Sequence, residues 1–197
     1  MVKDDLRRIK TRENISKHFI QMLASRSFND ITIKELVAEC RINKTTFYRN
    51  FNDKYDLLDS IIKYLSVRFQ QSLSPDILNM IISKDEQDTA KYLGPLLDYF
   101  EEYRQTLLIL QKCDLAHCLF DSMENTLRDL LLANAKKQFP QSNSVTALYC
   151  GLIASNILTT IKWWHITDNQ LSREKIIRTI HTTIHLGIIQ SFIDSLH

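Results

Sequence analysis

The chain contains very little glycine and very little proline. Only three of each occur in 197 residues, although the turns of all-β and α/β folds depend on these two residue types. Hydrophobic residues make up 44% of the chain, which is enough to bury a core and argues against disorder. We therefore expect an all-α fold.

The few cysteines lack the paired spacing of metal ligands. They are Cys40, Cys113, Cys118 and Cys150. No signal peptide precedes them, so we expect reduced thiols in a cytoplasm. The pair His181 and His185 and the cluster of Cys113, His117 and Cys118 have ligand-like spacing but lack convincing third and fourth ligands. We expect no metal and no cofactor.

Motifs for membrane insertion and for catalysis are also lacking. Lys162 interrupts the most apolar stretch, so we expect no membrane-spanning segment. The sequence has no Gly-rich phosphate loop, no nucleophile elbow and no HExxH motif. These absences predict a soluble protein that is not an enzyme.

Positive charge is concentrated in the first quarter of the chain. Residues 1–55 carry twelve Lys and Arg against seven Asp and Glu, whereas residues 56–197 carry thirteen against sixteen. No acidic residue occurs from position 40 to position 52. This pattern indicates that an anionic partner binds at the basic end, although a solvated charged surface explains the charge alone equally well.

Three helices are predicted in this basic quarter. Apolar residues at helical spacing indicate the first, over about residues 5–25. Thr32 with Glu35 three positions later is a capping box that opens a short second helix. Asn43 is the next N-cap candidate and predicts a third helix over Lys44–Phe51. Two short helices joined by a three-residue link are typical of a helix-turn-helix, whose second helix enters the DNA major groove.

The third predicted helix carries side chains that suit DNA. Lys44 and Arg49 have the length to reach guanine edges or phosphates. Thr45 and Thr46 offer hydroxyl groups or pack on thymine methyls, and Tyr48 can bond a phosphate. The alternative is a structural helix whose basic residues face solvent.

One stretch of this region resembles a known family. The sequence ITIKELVAECRINKTTFYRNFNDKYDLL, residues 31–58, is similar to the DNA-binding domain of the TetR family of one-component bacterial transcription regulators. The residues that match the family pattern are Thr32, Thr46, Phe47, Tyr48, Phe51 and Lys54. The resemblance covers about the first 58 residues, and the remaining helical part resembles the family only in length and layout.

The resemblance implies roles for individual residues. Those expected to face the groove and its walls are Lys44, Thr45, Tyr48, Arg49 and Asn50, and those expected to touch phosphates are Thr32, Thr46 and Lys54. Phe47 and Phe51 are expected in the core. Two positions depart from the family pattern, because Arg41 replaces the usual turn glycine and Thr45 replaces a smaller residue. Either Arg41 adopts a positive φ at some cost, or the turn differs locally.

The last two predicted helices, Ser144–Ile166 and Ser172 to about Ser195, are expected to form a dimer interface. Small residues permit close helix approach, and apolar residues add contact area. The interface candidates are Leu148, Gly151, Leu152, Ser155, Ile180, Ile184 and Ile188. The resemblance implies the same interface, and an ordinary buried helix pair is the alternative.

The resemblance also implies a small-molecule effector bound within the helical body. The pocket candidates, chosen as aromatic, apolar or flexible side chains at helix-facing positions, are Phe100, Tyr103, Leu107, Phe120, Met123 and Trp163. Plain core packing is the alternative for each of them.

These observations predict an amino-terminal helix-turn-helix domain over residues 1–55, followed by a helical effector-binding and dimerisation domain over residues 56–197. We expect a cytoplasmic homodimer that binds an inverted-repeat operator in double-stranded DNA and is released by a small-molecule effector. The alternative is a regulator or DNA-organising factor that is controlled by a protein partner and has no small-molecule ligand.

Overall fold

The structure, a computed structural model, describes residues 2–113, 115, 117–141, 143–166 and 171–187, and every regular element in these ranges is an α-helix. The helices are α1 (Val2–Leu23), α2 (Ile33–Glu39), α3 (Lys44–Tyr48), α4 (Lys54–Ser72), α5 (Leu78–Ile82), α6 (Glu86–Glu102), α7 (Arg104–Lys112), α8 (His117–Gln138), α9 (Ser144–Ile166) and α10 (Arg173–His185). The predicted all-α fold is confirmed.

Capping side chains set the starts of the early helices, as predicted. Thr32 Oγ1 accepts from the amide of Glu35 at 3.3 Å, and the Glu35 carboxylate accepts from the amide of Thr32 at 3.1 Å. Asn43 Oδ1 accepts from the amide of Thr46 at 2.7 Å. Asp53 accepts two amides at the start of α4, each at 2.8 Å. Each cap satisfies amides that the helix itself leaves without a partner.

Several helix ends differ from their predicted positions. α3 ends at Tyr48 rather than Phe51, because the amide of Asn50 bonds the carbonyl only three residues back, at 2.8 Å. α6 begins at Glu86, within the polar stretch Ser83 to Thr89 that the sequence predicts to be a loop. α10 ends at His185, just before Gly187 with φ +88°. Residues 188–195 of the predicted last helix lie outside the described residues.

The chain forms two compact units. The first contains residues up to 65 together with 105–117, and the second contains residues 66–104 and those from 118 onward. In the first unit α1 packs on α2, and α2 packs on α3. In the second unit α6, α9 and α10 pack on one another, and α5 packs on α6. The domain boundary at residue 55 stays a prediction.

α6 runs continuously through Gly94 and Pro95, and α10 contacts it at this point. Proline cannot donate a helical hydrogen bond and crowds the preceding turn, so the Gly94-Pro95 pair in the sequence predicts an interruption of this helix, which the structure does not show. Arg173 at the start of α10 donates through Nη2 to the Gly94 carbonyl at 2.8 Å, and through Nη1 to Asp98 at 2.6 Å and Glu101 at 3.3 Å. These contacts fix the packing of α10 on α6 within the second unit.

α9 has a buried face and an exposed apolar face. Its buried residues are Cys150, Ala154, Ile157, Leu158, Ile161, Trp164 and His165. Its large exposed apolar residues are Val145, Leu148, Tyr149, Leu152 and Trp163. The helix therefore contributes to the core of the second unit and also carries an apolar stripe, defined by the five exposed residues.

α9 also corrects our expectation about membrane-spanning segments. The eighteen residues from 144 to 161 carry no charge. The uncharged run before Lys162 is therefore as long as a membrane span requires. By length and composition alone, Ser144–His165 meets the requirement for a membrane span. A core helix of a soluble protein meets the same requirement, and polar Asn156 of α9 accepts a hydrogen bond from Thr183 of α10 at 3.0 Å.

Candidate nucleic-acid interface

The turn between α2 and α3 contains a residue with left-handed backbone. Arg41 has φ +53°, and no other non-glycine residue in the described ranges has a positive φ. Its amide donates to Ala38 at 3.1 Å, and the amide of Ile42 donates to Val37 at 3.0 Å. These are the two hydrogen bonds of a Schellman motif, which favours glycine where Arg41 stands. A side chain at this position costs about 1 kcal/mol. Of the two outcomes expected for Arg41, a positive φ and a locally different turn, the structure shows the positive φ.

α3 separates its inward from its outward side chains. Phe47 is fully buried, and Phe51 just beyond the helix is 2% exposed, which confirms both as core residues. Lys44, Thr45 and Arg49 are exposed. Tyr48, with 53% of its surface exposed, lies outward as well, although its ring edge contacts Phe47 at 5.4 Å between centroids. These four exposed residues are four of the five that the resemblance implies would face the groove, and the fifth is Asn50.

Thr46 and Asn50, which were also predicted to contact DNA, form hydrogen bonds within the chain. Thr46 Oγ1 donates to the capping oxygen of Asn43 at 2.9 Å. Asn50 donates through Nδ2 to the Thr46 carbonyl at 2.8 Å, and its Oδ1 is buried without a hydrogen-bond partner among the described residues. Both side chains are half-buried. They hold the ends of α3 in place, and Asn50 presents no amide oxygen to a DNA groove in this conformation.

Arg12 supports this region from α1. It donates through Nη1 to the backbone carbonyl of Asn50 and through Nη2 to Ser60 Oγ at 2.8 Å. Its guanidinium carbon lies 4.1 Å from the centroid of the Phe51 ring, within range of a cation–π interaction. Sequence reasoning missed this role. The available signal was spacing, because position 12 lies three residues before the fully buried Ile15 on the same helical face.

Lys54 also serves the fold. Its ammonium group donates to three backbone carbonyls in the loop before α2, those of Phe28 at 2.9 Å and of Asn29 and Ile31 at 3.2 Å each. It also lies 4.7 Å from the centroid of the Phe28 ring. An ammonium has three protons to donate, so all are used here. The structure therefore gives Lys54 a structural role, and the expected phosphate contact stays a prediction.

The capping box at α2 carries a strongly acidic carboxyl group. Hydrogen bonds from the Thr32 hydroxyl and amide, together with the ion pair to Arg26 at 2.9 Å, lower the pKa of Glu35 to about 2. The Thr32 hydroxyl donates to this carboxylate at 2.6 Å while accepting from the amide of Glu35. The hydroxyl and the amide of Thr32 thus both donate to the Glu35 carboxylate, and the phosphate contact expected of Thr32 stays a prediction.

The cations of this region fall into two groups. Arg12, Arg26 and Lys54 bond other groups of the chain. By contrast, the ion pairs formed among the described residues include none with Arg41, Lys44 or Arg49, and all three side chains are exposed. The second group lies within nine residues of sequence that contain no acid. This surface is suited to bind an anionic polymer.

The predicted effector residues do not all lie in one unit. Leu107 belongs to the first unit, and the other five belong to the second. Phe100, Leu107 and Met123 are buried, whereas Trp163 is 50% exposed. Tyr103 and Phe120 are half-buried. Trp163 therefore lies at the surface of its unit, and its assignment to an effector pocket stays a prediction.

A surface cavity of about 440 Å³ lies in the first unit, at the end of α1. The residues that line it are Leu23, Ala24, Ser25, Arg26, Ser27, Phe28, Lys112 and Cys113. Cys113 Sγ donates to the Leu23 carbonyl at 3.4 Å. None of the predicted effector residues lines this cavity.

The residues predicted to form the dimer interface differ in their exposure. Leu148 and Leu152 are exposed, and Gly151, Ser155 and Ile184 are half-buried. Ile180, by contrast, is fully buried within the second unit, so it forms core rather than contact surface. Ile188 lies outside the described residues.

The residues with metal-ligand spacing have other neighbours. His181 Nδ1 lies 2.8 Å from Thr89 Oγ1, and the rings of His181 and His185 are 4.5 Å apart between centroids. Within the described ranges, no three His, Cys, Asp or Glu residues are grouped as metal ligands would be. All four cysteines are free thiols.

Comparison with known proteins points to the same region. Residues 20–61 match the family of bacterial regulatory proteins designated tetR. YerO of Bacillus subtilis (strain 168), described as an uncharacterised HTH-type transcriptional regulator, is 26% identical over 102 residues, which are 50% of this chain. The match spans about a third of that relative's length, at 34%.

Solved structures share the fold over most of the chain. A TetR transcriptional regulator from Streptococcus agalactiae 2603V has a TM-score of 0.62 at 16% identity, covering 93% of this chain and 98% of its own. The dihydroxyacetone kinase operon activator DhaS has a TM-score of 0.62 at 20% identity, covering 92% and 98%. At these identities the likeness concerns the fold.

Proposed function

We propose that this chain, which belongs through its amino-terminal domain to the TetR family of bacterial regulatory proteins, is a sequence-specific DNA-binding regulator of transcription and not an enzyme. The observation that carries the proposal is the surface of α3. Lys44, Thr45, Tyr48 and Arg49 are exposed together on a helix whose other face is anchored by buried phenylalanines. A short basic helix of this kind, preceded by a tight turn, fits the major groove.

The roles within the proposed interface follow from the side chains. Lys44 and Arg49 are unpaired within the described residues and supply bonds to guanine edges or phosphates. Thr45 supplies a hydroxyl or a methyl contact to thymine, and Tyr48 supplies a phosphate bond. Thr46 and Asn50 act indirectly, because they fix the ends of α3.

We further propose that two copies bind together. A single short recognition helix contacts too few base pairs for tight specific binding, whereas two copies read two half-sites of an inverted repeat. The apolar stripe on α9 supports this step, since large exposed apolar patches mark protein contact sites. The proposed contact residues are Leu148, Gly151, Leu152, Ser155 and Ile184, and the protein would act in the cytoplasm, where its DNA lies.

A small-molecule effector completes the proposal. In the second unit Phe69, Tyr99 and Phe100 form edge contacts at 5.3–6.5 Å between centroids. Tyr103 accepts from Arg68 Nε at 3.1 Å beside them. The rings of Phe69, Tyr99 and Phe100 are buried and pack on one another, so a ligand that separated them would meet apolar walls beside a polar group, a combination that suits ligand recognition. The expected effect of the effector is release of DNA, as in a repressor. If DNA binding is lost only when a second protein is added, control by a protein partner is favoured instead.

Selection of bound duplexes from a random DNA pool tests the proposal. We expect enrichment of an inverted repeat, and a pool that stays random after several rounds would contradict sequence-specific binding. On the enriched duplex, Lys44→Ala and Tyr48→Ala should each weaken binding about tenfold or more at fixed salt, without changing the oligomeric state. Lys136→Ala, an exposed cation on α8, is the matched control and should bind as the wild type does.

A further inference from the structure

The left-handed backbone of Arg41 is unusual, because glycine at this position would remove the steric cost of the side chain. Glycine adopts the left-handed conformation of a Schellman turn without strain. The two hydrogen bonds that define this turn join backbone groups of residues 37–42, and the carbonyl of Cys40 also accepts from Asn14 Nδ2 at 3.3 Å. Nothing in the turn itself therefore requires a side chain at position 41. Backbone strain that persists at one site is a reason to look for a function of the side chain.

The surroundings of Arg41 indicate what that function is. The side chain is exposed and forms no ion pair among the described residues. It lies two residues before Asn43, the N-cap of α3, and three before Lys44. Arg26, in the same unit, shows the alternative arrangement, because its guanidinium is paired with Glu35 at 2.9 Å.

We propose that Arg41 is a contact to a DNA backbone phosphate, and that this contact is what retains arginine at a turn position suited to glycine. The inference rests on the proposed DNA-binding function. It extends the predicted interface by one residue that precedes α3. A phosphate contact of this kind positions the helix in the groove and carries no base specificity.

A different explanation uses the end of α2. A cation near a helix carboxyl terminus stabilises the last carbonyls and the helix dipole. In that case Arg41 would contribute to folding stability and not to DNA affinity. The two explanations differ in how binding responds to salt, because each phosphate contact adds about one unit to the slope of log affinity against log salt concentration.

Three variants separate the contributions of charge and backbone. Arg41→Gln keeps a side chain at the left-handed position and removes the charge, Arg41→Lys keeps the charge, and Arg41→Gly removes both the side chain and the strain. The probe is the inverted-repeat duplex enriched from the random pool, labelled with a fluorophore. Anisotropy titrations over a series of salt concentrations give the affinity and its salt slope for each protein.

We expect Arg41→Gln and Arg41→Gly to bind roughly five- to tenfold more weakly than the wild type near physiological salt, with a slope reduced by about one per subunit. Arg41→Lys should keep most of the slope. Lys136→Gln, which removes one exposed charge from the second unit, should leave the slope unchanged. Thermal unfolding of each variant checks that the fold is intact.

The inference is overturned if Arg41→Gln and Arg41→Gly show the wild-type slope on a duplex that the wild type binds. It is also overturned if Lys136→Gln reduces the slope by the same amount, because net charge alone would then explain the effect. Failure of the wild type to bind any enriched duplex overturns the proposed function instead, and the inference falls with it.

Discussion

The guanidinium of Arg12 donates a hydrogen bond to the backbone carbonyl of Asn50, a residue that lies 38 positions further along the chain. The bond joins the first helix to the end of the helix proposed to enter DNA. Arg12 also bonds Ser60 on α4 at 2.8 Å. One cation thus connects three helices of the first unit, and α3 depends for its orientation on a residue outside the interface.

Arg12→Ala should lower the free energy of unfolding by about 2 kcal/mol, because two hydrogen bonds from a charged donor and the contact with Phe51 are lost. Urea unfolding measures this change. DNA affinity should fall with an unchanged salt slope, since Arg12 contacts no phosphate. Arg8→Ala, exposed on the same helix, should change stability by less than about 0.5 kcal/mol. Equal stability of the two variants would contradict the role given to Arg12.

Arg41→Gly should stabilise the protein. Glycine removes a cost of about 1 kcal/mol for a side chain at φ +53°. Its greater freedom in the unfolded state offsets roughly 0.4–1 kcal/mol of that gain, so the free energy of unfolding should rise by at most about 0.6 kcal/mol. Lys34→Gly, within α2, is the control and should destabilise by about 1 kcal/mol. A lower denaturation midpoint for Arg41→Gly would show that the side chain contributes more to folding than its backbone costs.

Acid should destabilise the second unit through His165. Burial lowers the pKa of this histidine to about 4, and its Nε2 lies 3.1 Å from the Arg104 carbonyl, to which it donates. Below pH 6.5 the unfolded chain binds a proton that the folded chain does not. Stability is therefore unaffected above that pH and falls as the pH drops towards 4, by on the order of 3 kcal/mol.

Unfolding measured from pH 8 to pH 4 tests this prediction. His165→Gln should show a shallower loss of stability across that range, whatever its stability at neutral pH. His117→Gln, an exposed histidine, should retain the wild-type pH dependence. Burial and His181 also lower the pKa of His185, so part of the acid sensitivity should persist in His165→Gln. An unchanged slope in that variant would exclude His165 as the source.

Leu152→Glu should convert the proposed dimer to a monomer. The side chain is 56% exposed within the apolar stripe of α9, so a carboxylate there is tolerated in the monomer but costs several kcal/mol when buried without a partner. Sedimentation at micromolar concentration measures the change. Ile82→Glu, which alters an equally exposed residue on α5, should sediment as the wild type does. A wild-type monomer, or a Leu152→Glu dimer, would contradict the proposed interface.

Local sequence signals were sufficient for much of the first unit. The caps at Thr32 and Asn43 act over three residues, so a short pattern specifies them. The bend at Arg41 was expected because two helices so close in sequence need a reversal between them. The spacing of four residues placed Phe47 and Phe51 on one helical face, and the resemblance to the TetR family implied that this face is the core.

Contacts between distant positions could not be anticipated in this way. Lys54 bonds carbonyls 23–26 residues earlier in the chain, and a basic residue next to a DNA-binding motif gives the same pattern whether it bonds phosphate or backbone. Ile180 presented a similar ambiguity, because an apolar helical position is compatible with both core and interface. The structure distinguishes them through burial, which depends on the packing of α10 against α6 and α9.

The residues that anchor α3 differ from those that face outward, and this separation affects how the DNA sequence recognised by such a protein can change in evolution. Phe47 anchors the helix from inside, while Arg12 and Lys54 hold its end and the neighbouring loop without using any outward side chain. Lys44, Thr45, Tyr48 and Arg49 therefore contribute little to folding. Substitutions at these four positions can accumulate after gene duplication without loss of the fold, so new target sequences become accessible by small steps from a scaffold that stays intact.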